Sequence, residues 1–293
     1  MLKARTVEKI VQAREQAEGE GARVRRGIGG GQLLQVDPFL LFDHAEVHPP
    51  AGFPDHPHRG FETVTYILNG SFKHEDFAGN KKILGTGDLQ WMTAGRGVLH
   101  SETPYGNGGE GLQLWVNLPQ NEKLVQPAYQ DLKCKDIPVV SKDGVTAVIV
   151  AGEYDGQKSP VRTRTPTNYL YLTLAPGSRV LQPFPEKWNV FSYTVFGKLT
   201  VGPEDKQQET VEHSCIVYKP DGDCVRLANN SPEEVRCVLI AGQPLHEPVA
   251  RHGPFVMNTY EEIDQAIKDF RNCTNGFEKA KNWKSEYMKK HAK

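Results

Sequence analysis

The sequence predicts an all-β protein: two stacked jelly-roll β-barrels with a C-terminal helical tail. Three observations predict it. Glycine (28) and proline (20) make up about one residue in six of the 293, above the usual share of about one in eight, so turns are frequent and strands short. β-rich runs recur roughly every ten residues between turn signals, the spacing of sandwiches and barrels. Sliding the chain by 127 residues lays 190–197 on 63–70, with Tyr193 on Tyr66 and Gly197 on Gly70. One small barrel is therefore expected twice.

The first barrel is assigned to residues 1–132. Its run from Thr63 to Leu68 meets Asn69-Gly70, a hairpin signal. Strands follow at 81–84, 89–92 and 112–118, with Gly85-Thr86-Gly87-Asp88 as a turn between the first two. Residues 133–144 carry Lys133, Lys135, Asp136, Pro138, Lys142 and Asp143 and read as a linker. The second barrel, 145–253, has strands at 145–151, 169–174, 190–196, 215–218 and 235–240, and Gly222-Asp223 plays the part of Gly87-Asp88. The tail, 254–293, places Ile263, Ala266, Ile267 and Phe270 on one helical stripe. Thr259 as N-cap with Glu262 three residues on forms a capping box. A second helix is expected from 276 or 277 to 290.

Composition excludes several classes. A net charge of −1 argues against a body built to wrap nucleic acid. No apolar stretch approaches 18 residues, so no membrane-spanning helix is expected. Five cysteines, odd in number and without a CxxC pair, read as free thiols in a reducing compartment, cytosol or nucleus. The run Gly27-Ile28-Gly29-Gly30-Gly31 lacks the nucleotide-binding register and reads as a turn.

Six of the ten histidines fall between positions 44 and 100. In His56-Pro57-His58 the two imidazoles share one side of an extended segment. His100 closes the run Gly95-Arg96-Gly97-Val98-Leu99-His100, and Glu102 lies two residues beyond on the same side. Three imidazoles and one carboxylate can then converge on a metal, and imidazole suits zinc, copper, iron and nickel. Glu62 has the same parity relative to His58, so spacing leaves Glu62 and Glu102 both open as the fourth ligand. His44, His48 and His74 read as surface or supporting residues. In the second barrel Pro183, Pro185 and Asn189 stand where His56, His58 and Glu62 stand in the first, so no metal is expected there.

These residues resemble the two cupin motifs: His56, His58, Glu62 and Gly70 for the first, and Gly87, Thr93-Ala94-Gly95 and His100 for the second. Thr93 replaces a proline there, and two extra residues precede the histidine. Longer runs resemble the pirin family almost end to end. They include Asp37-Pro38-Phe39-Leu40-Leu41-Phe42-Asp43, Gly52-Phe53-Pro54-Asp55-His56-Pro57-His58-Arg59-Gly60-Phe61-Glu62, Gly87-Asp88-Leu89-Gln90-Trp91-Met92-Thr93-Ala94-Gly95-Arg96-Gly97 and His252-Gly253-Pro254-Phe255-Val256-Met257-Asn258-Thr259. The C-terminal runs point to animal-type members, and the fold implied is a bicupin.

The resemblance implies one metal per chain, iron cycling between Fe(2+) and Fe(3+), held by His56, His58, His100 and Glu102. Glu62 is then a supporting residue. It implies quercetin 2,3-dioxygenase activity: O2 enters the flavonol ring, CO leaves and a depside forms. Glu102 would be the catalytic base on the flavonol 3-hydroxyl, with Phe53, Phe61, Trp91, Met92 and Leu114 as candidate walls. It also implies a nuclear transcription coregulator, binding factors of the nuclear factor kappa B type and nuclear factor I, switched by the iron oxidation state. Arg23, Arg25, Arg26, Arg59 and Arg96 are candidates for a basic rim. An interaction protein with vestigial activity is the alternative. A monomer in nucleus and cytoplasm is expected, without sequence-specific DNA binding or membrane association.

Overall fold

The β-rich alternation becomes strand almost throughout. In the computed structural model, which describes residues 2–291, twenty-four strands stand beside two α-helices and four short 3-10 helices among the described residues. The chain forms two compact units, and neither is continuous. One comprises Met1–Arg14, Arg26–Leu41 and Lys135–Leu245; the other comprises Glu15–Arg25, Phe42–Cys134 and His246–Lys293. The expected consecutive segments 1–132, 145–253 and 254–293 are thus replaced by interleaved ones. Pairing between distant segments is the cause. Val7–Gln12 lies antiparallel to Ser214–Tyr218, with Val7 opposite Tyr218 and Gln12 opposite Ser214. Arg5 secures the same segment: its buried guanidinium donates to the carbonyls of Gly222, Trp188, Pro185 and Glu186.

The unit built mainly from Lys135–Leu245 contains a seven-stranded sheet. Its order is Val7–Gln12, Ser214–Tyr218, Asn189–Phe196, Val235–Gly242, Thr167–Leu174, Val145–Ala151, Val139–Lys142. A four-stranded sheet runs Arg179–Pro183, Cys224–Ala228, Leu199–Val201, Gln208–Thr210. Leu170, Val190 and Leu239 of the first meet Leu199, Val225 and Leu227 of the second in one buried cluster. The expected closed barrel is absent: Val7–Gln12 and Val139–Lys142 are sheet edges. Two facing sheets bury their inner faces against each other, so the core needs no closing pair of strands. The expected linker is also corrected. Val139–Lys142 pairs with Val145–Ala151 across Asp143-Gly144, whose φ angles of +50° and +78° suit a two-residue hairpin turn.

The other unit draws on a nine-stranded sheet. Its order is Ala128–Leu132, Leu89–Thr93, Phe61–Asp76, Val98–Asn117, Phe39–Val47, Ala22–Ile28, Glu15–Glu18, with Phe53–His58 paired to Val98–Asn117 and Lys81–Gly85 to Phe61–Asp76. This path is likewise open. Asn69-Gly70 is not the expected hairpin. It sits inside the 16-residue strand Phe61–Asp76, where the register shifts between Ile67 and Asn69 and again between Gly70 and Phe72. A Cβ on Gly70 would lie 2.0 Å from the Gly108 carbonyl oxygen. Glycine here lets two backbones approach, and the bulges bend the strand without ending it.

The tail completes this unit. Helix α1 (Tyr260–Asn272) starts with the expected capping box, Thr259 Oγ accepting from the Glu262 N–H and Glu262 from the Thr259 N–H. Ile263 and Ala266 are buried with Phe255, Met257 and Phe277, and Ile267 and Phe270 pack against them. Asp269 also points inward and meets Arg59 at 2.8 Å, both side chains about 5% exposed. The expected helix 276–290 is broken into the 3-10 turn Glu278–Asn282 and a short helix α2 (Glu286–His291). The N–H groups of Ser285 and Glu286 donate to Asp55 and Glu75. Those carboxylates satisfy amides that a continuous helix would have bonded internally.

Candidate metal centre

Three strands bring the histidines together. Phe53–His58 runs antiparallel to Val98–Asn117, with His56 opposite His100, His58 opposite Val98 and Phe53 opposite Glu102. Phe61–Asp76 flanks the other side of Val98–Asn117, with His74 opposite Glu102 and Asp76 opposite His100. Directly opposed residues share a face, so the alternation seen in sequence becomes convergence in space. Two overlapping groups have their ligand atoms within 4.8 Å of one another: His56, His58 and His100, and His74, His100 and Glu102. In the first group the ring centroids lie 4.7, 4.3 and 4.8 Å apart.

Hydrogen bonding leaves nitrogen lone pairs for an ion. His56 Nδ1 donates to the Pro54 carbonyl at 2.7 Å, so its Nε2 is the acceptor nitrogen. His100 Nε2 and His58 Nδ1 are buried without a hydrogen-bond partner. An unsatisfied buried polar atom costs about 1–3 kcal/mol, and two imidazoles bearing that cost beside a third with a free acceptor nitrogen fit a cation. Burial lowers the basicity of His56. Burial, reinforced by the neighbouring imidazoles, holds His58 and His100 well below the usual histidine range. All three are therefore neutral, the form that ligates. Burial pushes the Glu102 carboxyl up to about 7, opposed by the Thr65 hydroxyl, which donates to it at 3.2 Å. Neutral imidazoles with a carboxylate and no thiolate form a set for a first-row divalent metal of borderline hardness.

Of the predicted ligands, the structure groups His56, His58 and His100 as one set and places Glu102 with His100 and His74. Glu62 is in neither set; it accepts from Thr93 Oγ at 2.6 Å. His44 and His48 face Glu110 and Glu46. His74, read from sequence as peripheral, is buried beside His100, with Nδ1 atoms 3.4 Å apart. Its signal lay in the same strand periodicity, hidden when Asn69-Gly70 was taken to end the strand.

The expected walls are partly corrected. Phe61 sets its ring edge-on to His58 at 5.1 Å. Trp91, Met92 and Leu114 are fully buried, and Phe53 packs on the Val47, Ile67 and Phe72 cluster. Trp115, missed in the sequence, touches both His58 (5.2 Å) and Phe61 (4.5 Å). The expected basic rim is largely neutralised: Arg23 and Arg25 pair with Glu15, Arg59 is buried on Asp269, and Arg96 faces Glu278. In the other unit an open cleft of about 540 Å3 beside Lys142, Asp155 and Arg179 includes none of the candidate ligands. No metal-capable group occurs in that unit among the described residues.

Family comparison agrees with this geometry. A model described as Pirin matches residues 21–116, and one described as Pirin C-terminal cupin domain matches residues 169–276. The chain is 56% identical to human (Homo sapiens) pirin over 94% of its length and 96% of the relative. It is 54% identical to a pirin-like protein of Solanum lycopersicum over 96% and 97%. The likeness therefore extends to animal and plant members alike. A crystal structure of quercetin 2,3-dioxygenase from Acinetobacter baumannii superposes with a TM-score of 0.85 at 33% identity, covering 92% of this chain and 98% of that one.

Proposed function

Because the chain belongs to the pirin family, we propose that it is an iron-dependent cupin dioxygenase acting on flavonols of the quercetin type. The observation that carries this reading is the cluster of half-buried His56 with buried His58 and His100, neutral and with nitrogens left for an ion, beside the Glu102 carboxyl. The similarity to a bacterial quercetin 2,3-dioxygenase supports the substrate class. Bound at this centre, iron supplies Lewis acidity and one-electron redox chemistry toward O2. The chain's own residues do the rest. His56, His58 and His100 hold the ion, and Glu102 completes the set. As the carboxylate of that set, Glu102 would take the proton of a flavonol 3-hydroxyl. The Thr65 hydroxyl orients that carboxylate, and Phe61 and Trp115 keep water from the His58 side.

The test is aerobic quercetin consumption with CO release by iron-loaded protein. Glu102→Gln is expected to lower kcat by about 100-fold or more, and His56→Ala to lose both iron and turnover. An iron-loaded protein that neither consumes quercetin nor releases CO sinks the enzymatic reading. If it then binds a nuclear factor kappa B type dimer in an oxidation-state-dependent way that survives Glu102→Gln, the interaction reading stands in its place.

A further inference from the structure

We propose that His74, Tyr129 and Asp76 form a positioning chain that fixes the tautomer of His100 and so presents its Nε2 to the metal. The proposal rests on the preceding reading that His100 is a ligand. His100 Nδ1 lies 3.4 Å from His74 Nδ1, His74 Nε2 lies 3.3 Å from the Tyr129 hydroxyl, and that hydroxyl donates to Asp76 Oδ2 at 2.6 Å. Asp76 is held by three further donors, the N–H groups of Ala78 (2.9 Å) and Asn80 (2.8 Å) and the Asn80 side-chain amide (2.7 Å).

The direction of every link follows from donor and acceptor capacity. Asp76 only accepts, so the single Tyr129 proton points to it. The Tyr129 oxygen is left to accept, which requires the proton of neutral His74 on Nε2. His74 Nδ1 is then a lone pair, which requires the His100 proton on Nδ1. His100 Nε2 is thereby left bare, and it is one of two buried nitrogens without a hydrogen-bond partner in the three-histidine set, the other being His58 Nδ1. Second partners of this kind fix ligand orientation and basicity, and their loss costs about 10–100-fold in metal affinity. His74 thus acts through His100 and touches neither substrate nor metal.

Tyr129→Phe is the informative variant, because the ring keeps its packing on Met92, Ala94 and Val98. Without the hydroxyl, His74 can donate from Nδ1, which drives the proton of His100 onto Nε2. In metal-free wild type, 15N NMR of the His100 ring is expected to show only the Nδ1–H tautomer. Tyr129→Phe and His74→Phe should each give a mixture, with Fe(II) affinity down about 10–100-fold and an altered Fe(III) EPR signal. A pure Nδ1–H tautomer and an iron affinity within about twofold of wild type in both variants would overturn the proposal. Loss of one imidazole from the pulsed-EPR nitrogen count in His74→Phe would overturn it too, because His74 would then be a ligand. A wild type that binds no iron fails the preceding reading instead, while the tautomer measurement on metal-free protein still decides the chain.

Discussion

Four neutral imidazoles packed against one another make the metal-free protein sensitive to acid. His56, His58 and His100 are lowered by burial, and His74 is lowered by burial to about 4. Between about pH 6.5 and 4 the unfolded chain binds protons that the folded chain does not, so stability falls as pH falls. Glu102 opposes this, since a carboxyl raised to about 7 favours the folded state below that pH. It contributes one proton against as many as four. The Tm of chelator-treated protein is therefore expected to fall from pH 6.5 to 4, more shallowly in His74→Phe; a flat profile would contradict the neutral cluster. The three clustered histidines were legible in sequence because their shared face depends only on strand alternation. His74 was not, because its place depends on a strand that continues past Gly70; Trp115 was not, because its approach to His58 depends on strands distant in sequence coming together. Arg5 left no local signal at all, since its four carbonyl partners lie more than 175 residues away.

Turns decide which elements the sequence reveals. Asp143-Gly144 is a strong hairpin dipeptide, yet the charged residues around it favoured a linker reading. The alternation Val140, Lys142 against Val139, Ser141 is too short and too polar to stand out. In Asn69-Gly70 the same kind of signal marked a bulge, because the glycine was needed for backbone approach rather than chain reversal. Gly144→Ala puts a Cβ 3.0 Å from Ser178 Cβ at a φ of +78°. It is expected to cost about 1–2 kcal/mol, read as a lower urea midpoint with the slope unchanged. Helix α1 was readable to its N-cap because the capping box and apolar stripe are local. The break before α2 was not, because it follows from carboxylates on remote strands.

At the scale of the molecule, the Tyr66–Tyr193 and Gly70–Gly197 matches pointed to two units, and two form; the interleaving of their segments was not legible. Pairing of Val7–Gln12 with Ser214–Tyr218 leaves no pattern in either segment alone. Within the unit that holds the histidine cluster, Arg59 follows the candidate ligand His58 and is closed by Asp269 from α1. Asp269→Ala strands a buried guanidinium and is expected to cost about 3–5 kcal/mol, measured by urea unfolding; a loss below about 1 kcal/mol would mean that water reaches the pair. The 210 positions between these partners also set an order of events in the cell. Ribosomes add about 5–20 residues per second, so all four candidate ligands, the last of them Glu102, leave the ribosome roughly 8–30 s before the carboxylate that neutralises Arg59. A nascent chain then carries every candidate ligand but not the pocket that holds them still. Loading of any metal is thus expected to wait for the α1 segment rather than to follow emergence of the candidate ligands.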